Sequence, residues 1–216
     1  MDKIVRIDVG AAGGPKISEG PIGDYAGLGG RGLTSGIVAA EVPADSHALG
    51  PENKLVIAPG LLSGTAAAVG GRLSVGCKSP LTGGIKEANS GGQGAQILAK
   101  LGYAAIVLEG EYSGDDLYVV RVSTEGVKIE ADPSVKMATN YQMMDKFLGE
   151  YEDKGCMLSI GPAGEMRMAN STIAVTDMEG RPTRHAGRGG VGAVMGSKGI
   201  KAIILDGRGA KIRKPA

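Results

Sequence analysis

Arginines set among glycines are the strongest chemical signal in this chain of 216 residues. Arg31 lies in GLGGRG (27–32), Arg72 closes VGGR (69–72), and Arg188 lies in AGRGGVGAVMG (186–196), with Arg184 just upstream. A further cluster, NSGGQG (89–94), has glycine without arginine. A residue with no Cβ lets backbone approach a ligand closely. Free N–H groups in such turns form anion nests, and a guanidinium adds a planar fork that matches a phosphate. Tight turns in a compact β protein would use the same glycines, so the pairing points to an anionic ligand without excluding a structural use.

Familiar nucleotide signatures add little. Gly187 to Gly192 fits the dinucleotide spacing GxGxxG, with Asp206 downstream at a suitable distance, but Gly27 to Gly32 fits it too. Neither opens a convincing βαβ unit. The order Gly196-Ser197-Lys198 is wrong for a Walker A loop. His47 and His185 are the only histidines, and no nucleophile–His–acid triad or Cys/His metal spacing is present. Cys77 and Cys156 are too few for a disulfide framework, and two thiolates cannot hold an iron–sulfur cluster that takes four.

The elements that must position these groups are mostly strands. Segments 4–9, 54–60, 72–79, 84–89, 104–110, 117–123, 127–132, 156–161, 171–176 and 201–207 carry strand patterns between Gly and Pro signals. Helical spacing marks 30–41, 92–102 and 140–151, the last with Asn140 as expected N-cap. Segment 188–198 is a weaker helix, because each interior glycine costs up to about 1 kcal/mol. Strands and helices do not alternate regularly, which predicts an α+β fold of two packed β-sheets with a few helices. The expected organisation is one domain over 1–207, with 208–216 as the start of a linker or tail.

Composition narrows the function classes. Hydrophobic residues are 42%, charged residues 22% and the net charge is +1. An ordinary core can form, and the near-zero net charge argues against a nucleic-acid binder that relies on charge. Glycine, at 38 residues, stands far above its usual ~7%, with no Gly-X-Y period. One Phe, six Tyr and no Trp leave little for base stacking. The N-terminus reads as a strand and not as a signal peptide, and no apolar run approaches the ~20 residues of a membrane helix. The expectation is a reduced, soluble, cytoplasmic protein with neither nucleic acid nor membrane as partner.

Taken in order, GGRGL (29–33), PENKLVIAPG (51–60), SGTAAAVGGR (63–72), KSPLTGG (78–84), ANSGG (88–92), AKLGYAAIVLEG (99–110), SIGPAGE (159–165) and AGRGGVGAVMGSKGIKAI (186–203) are a specific set. The chain resembles the N-terminal domain of the tungsten-containing aldehyde:ferredoxin oxidoreductase family, almost end to end. The resemblance implies a tungsten or molybdenum ion held by two pterin cofactors, with this domain as a two-sheet base beneath the bis-pterin. It implies that Arg72 and Gly71 meet one pterin and that Asn89 and Gly91 contact pterin or its phosphate. Arg184, His185, Gly187 and Arg188 would line the other contact. A magnesium between the two phosphates would be reached by the backbone carbonyls of Asn89 and His185.

The resemblance further implies an aldehyde substrate oxidised to its acid, ferredoxin as acceptor, and a [4Fe–4S] cluster in domains beyond this chain. No residue is expected to transfer protons here, and the isolated chain is expected to be inactive. Two departures stand out: His185 replaces a commonly small residue, and Glu179 to Thr183 differs from the commoner pattern. A non-catalytic binding or assembly module, a split subunit, and a nucleotide-binding domain are the competing expectations. Cys77 and Cys156 both fall in strand patterns, where free Cys acts as a small buried hydrophobe. Replacing either by Ala in a full-length protein should leave its metal content unchanged, measured by mass spectrometry of the purified protein.

Overall fold

The computed structural model describes residues 1–147, 149, 151 and 154–214. Its framework is a pair of six-stranded sheets. The first runs in the order β2 (Lys16–Pro21), β1 (Lys3–Asp8), β6 (Tyr103–Glu109), β3 (Leu55–Pro59), β4 (Leu73–Lys78), β5 (Ile85–Ser90). The second runs β11 (Arg184–Ala186), β10 (Ile173–Val175), β9 (Gly155–Ser159), β12 (Ile200–Asp206), β7 (Tyr118–Ser123), β8 (Gly126–Ala131). Each sheet is antiparallel except for one parallel pair, β1 with β6 and β7 with β12. This is the expected α+β arrangement of two packed sheets with few helices.

The sheets face each other across one core. Val5, Ile7, Ile57, Val75 and Cys77 from the first meet Val120, Cys156, Leu158, Ile203 and Leu205 from the second. Helices α2 (Gly94–Lys100) and α5 (Val191–Ser197) add Leu98, Val191 and Val194 to the same core. The outer face of the first sheet is covered by α1 (Gly30–Glu41), whose Leu33, Ile37 and Val38 pack on Val56, Ala58 and Val107. The outer face of the second is covered by α3 (Asn140–Phe147), with Met143 and Phe147 on Val119, Met157 and Ile204. Cys77 and Cys156 are fully buried and free. Burial pushes their thiols up to about 12 and about 11, which leaves them protonated and inert at neutral pH.

One local expectation is corrected, and three elements had no counterpart in the sequence patterns. Thr139, not Asn140, caps α3: its Oγ1 accepts from Gln142 N at 3.3 Å while Gln142 Oε1 accepts from Thr139 N at 2.8 Å. This reciprocal capping box moves Asn140 into the helix, where its Oδ1 accepts from Ser159 Oγ at 3.0 Å. The C-terminal part of the 140–151 segment includes positions outside the described residues. Strands β2 and β11 lay outside the sequence patterns, because β2 is mostly exposed and polar and β11 is only three residues long. A short helix, α4 (Pro162–Glu165), was equally silent.

The glycine-rich segment expected to make a poor helix is instead a wholly buried one, since every residue of α5 is buried. A Cβ on Gly196 would lie 2.0 Å from the Gly164 carbonyl oxygen, and one on Gly192 would lie 2.6 Å from the Thr172 carbonyl oxygen. The helix backbone therefore touches other backbone directly, and burial offsets the weak propensity. Its end is tied by Lys198, 1% exposed. Lys198 Nζ donates to the carbonyls of Gly50 at 3.0 Å, Pro51 at 3.3 Å and Gly110 at 2.8 Å, joining α5 to loops of the first sheet. Burial, with Lys54 nearby, pulls this ammonium down to about 8. After β12 the chain returns to the 61–64 loop, where Arg213 N donates to Gly64 O at 2.7 Å. Gly196→Ala should destabilise by about 2 kcal/mol or more, because backbone cannot yield as a side chain can. Urea unfolding monitored by circular dichroism checks this.

Candidate functional site

Strands β5 and β11 are the edge strands of their sheets, and they lie on the same side of the molecule. An edge strand leaves alternate backbone N–H and C=O groups without a sheet partner. Two open clefts flank this double edge. The larger, about 740 Å³, is lined by Arg31, Ser35, Asn89, His185, Gly187 and Arg188, with Lys86 and Glu87. The second, about 380 Å³, is lined by Arg72, Gly91, Gly92, Arg181 and Arg184, with Asp177. Arg72, Asn89, Gly91, Arg184, His185, Gly187 and Arg188 each line one cleft or the other, whereas Gly71 lies against Gln96 and lines neither. Adjacent residues Arg184 and His185 serve different clefts, as do Asn89 and Gly91, so the two clefts share walls.

Residues of all four glycine clusters line the clefts, but not every glycine there leaves room for a ligand. A Cβ on Gly92, at φ +95°, would lie 2.3 Å from the Thr176 carbonyl oxygen. That glycine joins the two sheets and is not reserved for a ligand. Gly91 and Gly187 differ: a Cβ there would meet only ordinary contacts with Arg72 Nη1 at 3.7 Å and with His185 at 3.9 Å. Both keep their place against the clefts.

The electrostatics favour an anion. The side chains of Arg72, Arg184 and Arg188 make no ion pair or hydrogen bond among the described residues. Arg6, by contrast, is paired to Glu41 at 2.7 Å on the opposite edge region. His185 is oriented by Thr172, whose Oγ1 lies 2.8 Å from Nδ1. No group of three or more His, Cys, Asp or Glu side chains gathers as a metal site among the described residues. Any cation in the clefts would therefore rely on backbone carbonyls or on the ligand itself.

The loop carrying Arg181 and Arg184 is wound around Asp177. Asp177 Oδ1 accepts from Glu179 N at 2.9 Å and Arg181 N at 3.0 Å, and Oδ2 accepts from Thr183 Oγ1 at 2.6 Å. The Thr183 hydroxyl foremost, with those amides and Arg181, holds the carboxyl down to about 2. Sequence reasoning missed Asp177, since nothing in its spacing marks a loop anchor. It also missed Glu87 and Thr172, which ordinary strand alternation conceals.

The dinucleotide reading fails on topology. The strand order and pairings make β11 and β12 antiparallel, whereas a βαβ unit needs parallel strands. Gly27 to Gly32 follows β2, which is separated from β3 by β1 and β6. Lys198, the lysine nearest to a phosphate-loop pattern, is spent on three carbonyls.

The fold defines a class: an α+β domain of two packed mixed sheets, here with an arginine-lined double edge. Over residues 4–207 the chain matches the family model described as "Aldehyde ferredoxin oxidoreductase, N-terminal domain", and it belongs to that family. It is 42% identical over 183 residues to a tungsten-containing aldehyde ferredoxin oxidoreductase of Pyrococcus furiosus. It is 41% identical over 190 residues to the enzyme of the same name from Thermococcus kodakarensis. Each match covers 83% of this chain but 29% of the relative, so the chain spans under a third of the curated relatives' length. Among solved structures it resembles the active site complex BamBC of benzoyl coenzyme A reductase, in complex with 1,5-dienoyl-CoA. That match has TM-score 0.83 and 29% identity, covering 95% of this chain and 30% of the other. No helix among the described residues is long and apolar enough to cross a membrane.

Because the folded-state carboxyl of Asp177 lies below its ordinary value of 3.8, its stabilising effect is present above about pH 4 and is lost as pH falls toward 2. Asp177→Asn should flatten that part of the acid-unfolding curve and raise hydrogen exchange at residues 179–184. Melting temperatures between pH 5 and pH 2, with exchange mass spectrometry, check both.

Proposed function

We propose that this chain is the base that holds the phosphate-bearing ends of a bis-pterin tungsten or molybdenum cofactor in an aldehyde:ferredoxin oxidoreductase. The observation that carries the reading is the convergence of Arg72, Arg184 and Arg188, all without protein partners, on adjoining clefts at one double edge. Unpaired guanidiniums beside edge-strand backbone suit a dianionic phosphate better than an apolar or cationic ligand. The residues present therefore fit the group.

In this reading Arg72 and Gly91 take one pterin end in the smaller cleft, with Arg184 at its rim. Asn89, His185, Gly187 and Arg188 take the other in the larger cleft. The backbone carbonyls of Asn89 and His185, one on each edge strand, would hold a magnesium that neutralises phosphate charge. When bound, such a cofactor supplies two-electron oxidation of a small aldehyde to its acid, with electrons leaving through a [4Fe–4S] cluster in further domains to ferredoxin. The role of this chain is binding and orientation, while the chemistry belongs to the cofactor. The part of the relatives that this chain does not span would supply the opposite wall, as further domains or a partner subunit. A cytoplasmic, anaerobic setting accords with such a cofactor.

Arg72→Ala and Arg188→Ala should lower tungsten and pterin content of the full-length protein, purified anaerobically. A charge-assisted contact is worth about 1.5–3 kcal/mol, roughly ten- to a hundredfold in occupancy. An exposed arginine contributes within about 0.5 kcal/mol to stability, so the melting temperature should hardly move. Unchanged metal with a large fall in melting temperature would make these arginines structural. The isolated 216-residue chain, supplied with tungstate, should carry no pterin and reduce no benzyl viologen with aldehydes. An open base cannot enclose the ~70–90% of ligand surface that sites usually bury. One metal per chain, or turnover, would show the base to be self-sufficient.

A further inference from the structure

The larger cleft contains one more guanidinium, and its attachment is unlike that of the others. Arg31 stands in the first turn of α1 and reaches across to β5, where its Nε donates to Glu87 Oε2 at 3.2 Å. The Glu87 side chain is 7% exposed and the Arg31 side chain 75% exposed, so a buried carboxylate grips a guanidinium that projects into the cleft. A guanidinium has five N–H donors. The carboxylate takes the Nε–H, and neither Nη group has a partner among the described residues. One corner of the plane is tethered and the two-nitrogen edge is free, which is the edge that binds phosphate in bidentate fashion.

Glu87 is otherwise a poor choice for this floor. A carboxylate repels the anion that Arg188, Lys86 and Arg31 would attract, and burying it costs energy unless it is paired. Its pairing to Arg31, with Asn89 Nδ2 at 3.5 Å from the other oxygen, gives that cost a purpose. Lysine could not replace Arg31 here, because an ammonium tethered to Glu87 leaves no planar fork. His185 is prepared in the same manner: Thr172 occupies Nδ1 and leaves Nε2 for the cleft.

We propose that Arg31 is a further anion-binding residue of the larger cleft, taking a phosphate or pyrophosphate group on its free Nη edge, and that Glu87 is its positioning residue. The proposal rests on the anionic reading of the clefts and adds a side chain that the family resemblance did not supply.

Pyrophosphate titrated into the 216-residue chain tests it, followed by calorimetry and by the NMR signals of the arginine Nε–H groups. Arg31→Ala should weaken binding at least tenfold, and Arg31→Lys several-fold although the charge is kept. Glu87→Ala should weaken binding several-fold even though it removes a negative charge from the cleft. Glu87→Gln should restore it, since the amide oxygen still accepts from Nε. Equal or tighter binding by Glu87→Ala would make Glu87 a simple counter-charge and overturn the positioning role. Wild-type binding that Arg31→Ala leaves unchanged would remove Arg31 from the site while the anionic reading survives. No pyrophosphate binding by the wild-type chain would overturn both. Arg31 is exposed, so its variants remain informative even if Glu87→Ala fails to fold.

Discussion

The contact between the backbone of α5 and its neighbours is the constraint on which the rest depends. Gly192 lies against the chain at Thr172 and Gly196 lies against Gly164, in both cases closer than any side chain allows. That approach lets a seven-residue helix sink between two sheets with every residue buried. From its N-terminal end the chain runs back through Gly190 and Arg188 to β11, so the depth of α5 sets where the second edge strand meets β5. At its other end Lys198 ties the helix to loops of the first sheet through three carbonyls. A buried ammonium with no carboxylate in contact would be costly. Its full set of carbonyl acceptors makes it a fixed tie between the sheets.

The electrostatic design of the double edge is divided between charges that are satisfied and charges that are left open. Around Asp177 every acceptor is used on the loop itself, and the loop becomes a rigid carrier for Arg184. Arg31 is half satisfied, held at Nε and open at Nη. Arg72, Arg184 and Arg188 are open entirely. Exposed guanidiniums remain well hydrated, so leaving them unpaired costs the free domain little. They acquire their energetic value only against an anion that excludes that water. In the proposed function this separation leaves the fold independent of the ligand and reserves the open guanidiniums for it.

The relatives extend far beyond the matched region, and the clefts open along one side of the sandwich. In the proposed function the domain's contribution is a preset array of donors, placed on strands and helix ends rather than on a long loop. Groups on such elements are held more firmly than groups on loops, which matters when two phosphate ends must be seated at a fixed separation.

The sequence alone determined the two-sheet class, most strands and the arginine-rich character of the clefts. Strand alternation and glycine–arginine pairing are local patterns, each legible within a few residues. The motif order also sufficed to mark the family. What only the tertiary structure decided is which glycines press against distant backbone and which stay open beside the clefts. Gly92, Gly192 and Gly196 look in sequence like Gly91 and Gly187, yet they press against backbone from distant segments. The capping of α3 by Thr139 and the strand at 184–186 were hidden for related reasons: one is a reciprocal hydrogen bond, the other too short to show a period. The grip of Glu87 on Arg31 spans 56 positions and exists only because α1 lies over β5. Pairings of that kind depend on distance in space, which spacing along the chain does not encode.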